Sequence, residues 1–66
     1  MPLFKYEVDF SQLSVSEKTE LTNQIKMFAF NGLHLSSDLK TAVFYIENKD
    51  DLKFISKQYA NHIFAR

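Results

Sequence analysis

The stretch KTAVFYIE, residues 40–47, decides how the chain is read. Thr41, Ala42, Val43, Phe44, Tyr45 and Ile46 are β-favouring and apolar at nearly every position, as expected of a strand covered on both faces. Such a strand belongs in a sheet interior. Ahead of it, Phe4, Tyr6, Val8 and Phe10 alternate with Lys5, Glu7 and Asp9. That is the period-two pattern of a strand with one dry side and one wet side.

Between these strands the period changes. Ser14 and Glu17 stand at capping-box spacing, and Leu21, Ile25 and Phe28 then fall on one helical stripe. Asn31-Gly32 closes the helix, because glycine readily takes the left-handed conformation at a helix end. GLHLSSDL, residues 32–39, reads as a loop with room for a short strand at Leu33–Leu35. Beyond Glu47, Asn48 reads as an N-cap with Asp50 and Asp51 in the first turn, where the helix dipole favours negative charge. Leu52, Ile55, Tyr59 and Ile63 then form the inner face of a second helix. Met27 and Phe30 lie off the first stripe and Phe54 off the second. A partner covers Met27 and Phe30, or a broad core-facing stripe takes them in.

A single helix between two strands, the second buried on both sides, predicts an α+β fold: a βαβ unit with parallel strands joined by a right-handed crossover, plus a C-terminal helix. Two or three strands cannot cover both of their own faces, so a second subunit is expected on the open sheet face.

Size points the same way. Sixty-six residues make one domain, 1–66, with no internal repeat or linker, and a chain this short buries only about 60% of its unfolded surface. There is no cysteine to form a disulfide, and His34 and His62 without a thiol argue against a structural zinc. Ten aromatics in so small a body exceed what one core absorbs. Self-association, as a homodimer or higher homo-oligomer, is the expected supplement.

Eight basic and eight acidic residues cancel, leaving no net field toward phosphate backbones or anionic membranes. Stacking of a nucleic-acid strand on LFKYEV and AVFYI is opposed further by Glu7 and Asp9 on the wet side of the first strand. No run approaches the roughly 20 apolar residues of a membrane span. The amino terminus lacks the charged-then-apolar order of a signal peptide, so a cytoplasmic location is expected.

Over residues 1–47 the frame MPLFKYEVDF, LSVSEKTELTNQI and GLHLSSDLKTAVFYIE resembles the 4-oxalocrotonate tautomerase superfamily. The helix expected after Glu47 is more similar to its short dimeric branch than to the hexameric members, which turn into a Gly-rich hairpin there. The resemblance implies keto–enol proton transfer on a small carbonyl compound. Pro2, freed by removal of Met1, would be the general base, with no cofactor or metal. Burial among apolar groups lowers an amine's pKa toward the working pH, and Leu3, Phe4, Phe44 and Tyr45 are the groups to supply it.

Two residues near the second strand are candidate substrate contacts. Lys40 would contribute a positive charge and Tyr45 a hydrogen bond to a developing enolate, although a surface lysine and a packing aromatic account for them more simply. The family's carboxylate-binding arginines are replaced by Leu13 and Ala42, and the only arginine is Arg66. That departure, with the unplaced Met27, Phe30 and Phe54, supports the alternative of a non-catalytic interaction or regulatory module on the same or a similar scaffold.

Overall fold

The alternation in residues 4–10 becomes strand β1 (Phe4–Asp9) in the structure, a computed structural model that describes residues 2–66. Helix α1 (Val15–Lys26) follows. Its cap is the one the spacing predicts: Glu17 N–H donates to Ser14 Oγ at 3.2 Å, and Ser14 N–H donates to Glu17 Oε1 at 3.0 Å. The chain continues through β2 (Phe30–Leu35) and β3 (Thr41–Ile46). Two 3-10 segments, Lys49–Phe54 and Lys57–His62, lead into the short strand β4 (Ile63–Ala65).

Among the described residues the strands form one sheet in the order β2-β3-β1-β4, and every neighbouring pair is antiparallel. The expected parallel pairing of the first strand with Thr41–Ile46 is therefore wrong. Phe4 faces Ile46 and Asp9 faces Thr41, which is an antiparallel register. The physical reason is the strand at 30–35. Helix α1 carries the chain from β1 to β2, which runs in the same direction as β1 but is not its neighbour. A hairpin then returns β3 between them in the opposite direction. Asn31 and Gly32, expected to end the helix, instead take positive φ (60° and 74°) in a bulge within β2, between the pairs Phe30–Tyr45 and Leu33–Phe44.

The C-terminal helix is also corrected. Its apolar residues do turn inward: Ile55 and Tyr59 are buried, and Leu52 and Ile63 pack against the core. The backbone, however, breaks at Ile55, whose φ and ψ of −87° and 134° are extended. Ser56 explains the break, since its N–H donates to Gln24 Oε1 at 3.0 Å and its Oγ accepts from Gln24 Nε2 at 2.9 Å. A donor committed to α1 is lost to any continuous helix ladder.

The core lies on one side of the sheet only. Val8, Phe44 and Ile46 from the strands meet Leu21 and Ile25 from α1, all with no exposed surface. Burial of each such side chain is worth about 1.5–3 kcal/mol. The Phe44 ring stacks on Tyr6 with centroids 5.8 Å apart and meets Phe28 edge-on at 6.4 Å.

Candidate functional site on the open sheet face

Among the described residues, no helix covers the opposite side of the sheet. Period-two alternation and the strand register assign its residues: Lys5, Glu7 and Asp9 from β1, Thr41, Val43 and Tyr45 from β3, Phe30 and His34 from β2, and Phe64 from β4. The expectation that Thr41–Ile46 is covered on both faces meets this asymmetry. Ala42, Phe44 and Ile46 are buried, whereas Thr41, Val43 and Tyr45 are only half-buried.

Aromatic rings dominate one end of this face. Tyr45 lies opposite Phe30 across the β2–β3 pair and opposite Lys5 across the β1–β3 pair. His34 meets the Tyr45 ring edge-on at 6.2 Å. Phe30 and Phe64 remain 44% and 43% exposed, large for side chains that α1 and the 3-10 segments do not reach.

Charges of both signs interleave with the rings. Arg66 places Nη2 2.7 Å and Nε 3.1 Å from Glu7 Oε1, and its guanidinium carbon stands 5.7 Å from the Phe64 ring centroid. An exposed pair of this kind adds only about 0–1 kcal/mol to stability, but it fixes the position of the sole arginine. Hydrogen bonds from the Ser11 hydroxyl and backbone N–H hold the Asp9 carboxyl below the ordinary range, so Asp9 is an anion at neutral pH. Between β1, β2 and β3 lies a shallow hollow lined by Lys5, Glu7, His34 and Tyr45 among others.

The residues expected to act on substrate are not gathered at one place. Pro2 is exposed and precedes β1; whether Met1 is removed lies outside the described residues. Near it is a hollow lined by Leu3, Phe4, Lys5, Tyr6, Lys49, Ala65 and Arg66. Lys40 is exposed in the β2–β3 hairpin, its carbonyl accepting from Phe10 N–H at 2.8 Å. The antiparallel register puts Lys40 at the far end of β1 from Pro2, roughly 25 Å away at about 3.4 Å per strand residue. Tyr45 lies at the Pro2 end but on the open face. Leu13 and Ala42 both pack with the core.

Sequence reading did not place Phe30, His34, Phe64 and Arg66 on a common surface. The signal available was the β-favouring content of residues 30–35 and 63–65, masked by Asn31-Gly32 and by helical spacing at 52–63. Among the described residues there is no cluster of three potential metal ligands, and no helix is long and apolar enough to cross a membrane. No protein-family model, curated protein or solved structure matches the chain.

Proposed function

We propose that the protein is a small non-catalytic interaction module that works through the open face of its sheet, and that a second copy of the chain occupies this face. The observation that carries the reading is the composition of the face: exposed Phe30 and Phe64 and half-buried Tyr45 share it with Lys5 and Arg66 on one hand and Glu7 and Asp9 on the other. Two-fold pairing sets a patch against itself, so balanced charge of both signs can be met without a differently charged partner. The Cα trace measures 34 × 25 × 17 Å. A broad side of that size is of the order of the ~800 Å² that each partner buries in a standard interface.

Other occupants have less support. Single-stranded nucleic acid requires a cationic groove around its stacking rings, and the one arginine here is engaged by Glu7. A proton shuttle at Pro2 requires an amine shielded from water, whereas Pro2 is exposed and Lys40 is remote from it.

Light scattering on the eluting protein tests the proposal. The expected mass is twice the 7.8 kDa of the protomer, falling to the protomer value in Tyr45→Glu and in Phe64→Glu while the circular-dichroism spectrum is retained. A wild-type monomer at sub-millimolar concentration, or dimers that survive both substitutions, would overturn it. So would salt-sensitive binding of an oligonucleotide, which would assign the face to nucleic acid. Ketonisation of a simple enol that vanishes in Pro2→Ala would replace it with the tautomerase reading.

A further inference from the structure

On the helix-covered side of the sheet, away from the open face, the two 3-10 segments do not close fully over β1. They leave a cavity of about 140 Å³ lined by Tyr6, Leu52, Ile55, Ala60 and Ile63. Four of the five lining residues are aliphatic. Ala60 is exposed, so the cavity communicates with solvent at that residue. The volume is enough to admit a benzene-sized ring, in a hollow that is open to solvent on one side.

Tyr6 supplies the one polar side chain of the lining. It is only 9% exposed, and no described residue is within hydrogen-bonding reach of its hydroxyl in the side-chain contacts of the fold. No fully buried polar atom among the described residues lacks a partner, so this hydroxyl retains contact with solvent. A tyrosine this deeply buried ordinarily has its O–H paired, because an unmet donor carries a desolvation cost. Here the ring is held by stacking on Phe44.

We propose that this cavity is a binding site for a small, mostly apolar molecule of about benzene size carrying one hydrogen-bonding oxygen, of which phenol is the simplest representative. The aliphatic wall of Leu52, Ile55 and Ile63 takes the ring, and the Tyr6 hydroxyl pairs with the oxygen. The site does not depend on what occupies the open sheet face.

Titration of the ¹⁵N-labelled protein with phenol and, separately, with benzene tests the site. Saturable amide shifts are expected at and beside residues 6, 52, 55, 60 and 63 with both probes. Tyr6→Phe should weaken phenol about three- to tenfold, the equivalent of one net hydrogen bond, while leaving benzene unchanged. Retained benzene binding also shows that this variant is folded. Ala60→Phe, or the milder Ala60→Leu, should abolish binding of both probes without lowering the melting temperature, since residue 60 is exposed. Shifts that do not saturate, shifts centred on the open face, or equal loss of both probes in Tyr6→Phe would each overturn the proposal.

Discussion

Replacing Phe44 by Leu tests the two-sidedness of the sheet, and the magnitude follows from the packing. Phe44 has no exposed surface and touches both Tyr6 and Phe28 through its ring. Leu removes three side-chain carbons, which at about 0.8 kcal/mol per buried methylene costs roughly 2 kcal/mol. Two aromatic contacts worth about 0.5–1.5 kcal/mol each are also lost, so about 3–5 kcal/mol is expected in all. A protein of 66 residues has a total stability of roughly 3–10 kcal/mol, so most of its margin is at stake. For domains of this size each kcal/mol moves the midpoint by about 4–8 °C; the thermal midpoint by circular dichroism should therefore fall by at least ~12 °C. The neighbouring Tyr45→Leu serves as control. Tyr45 faces the open side, and with the protein dilute enough to be monomeric its replacement should cost under ~1 kcal/mol. A Phe44→Leu midpoint within a few degrees of wild type, or a Tyr45→Leu loss of equal size, would refute the assignment of core and open faces.

Alkaline pH should weaken the fold through Tyr59. Its buried ring sends the hydroxyl to Glu20 Oε2 at 2.6 Å, and that carboxylate, together with desolvation, pushes its pKa up from 10.0 to about 12. The folded state thus holds the proton more tightly than the unfolded chain, and the stabilisation is complete below pH 10 and lost as pH rises toward about 12. Urea midpoints should fall across that window, and the fall should be smaller in Tyr59→Phe; equal slopes in the two proteins would dismiss the coupling. Because the chain has no cysteine, the antiparallel register can be trapped directly. Glu7→Cys with Val43→Cys places thiols on directly opposed positions of the open face and should oxidise within the monomer, whereas a failure to do so would argue against this pairing. Leu39 adopts φ of 60° in the β2–β3 hairpin, a left-handed conformation that costs a non-glycine residue about 1–2 kcal/mol. Leu39→Gly should be neutral or stabilising by up to ~1 kcal/mol in urea unfolding, and a clear destabilisation would contradict that conformation.

Local chemistry was legible where one side chain answers to its near neighbours. Ser14 and Glu17 cap each other, Asn48 Oδ1 accepts from Asp50 N–H at 2.9 Å, and the residues expected to face inward from β1 and α1 do so. Direction was not legible, because it hinged on a strand that its own sequence disguises. FNGLHL carries Asn31-Gly32, ordinarily a turn or helix-end signal, and only pairing with β3 on both sides of the bulge makes it a strand. Missing that strand reversed β3 and with it the expected place of Lys40. The break at Ile55 was equally hidden: no glycine or proline marks it, and the Gln24–Ser56 pair behind it spans 32 positions of sequence. Phe30, Tyr45 and Phe64 share the open face only through the strand order β2-β3-β1-β4, which neither local signal reveals.

The position of β4 has a consequence for how the protein is made. Its residues 63–65 hydrogen-bond along the outer edge of β1, and Arg66 N–H reaches Lys5 O at 2.9 Å. Translation delivers β1 early and its edge partner only after residues 10–62 have followed. Throughout that interval the nascent chain presents a bare row of amides and carbonyls flanked by Phe4, Tyr6 and Val8, an invitation to pair with a neighbour on the same message. The edge closes only once Ile63–Ala65 has left the ribosome and docked on β1.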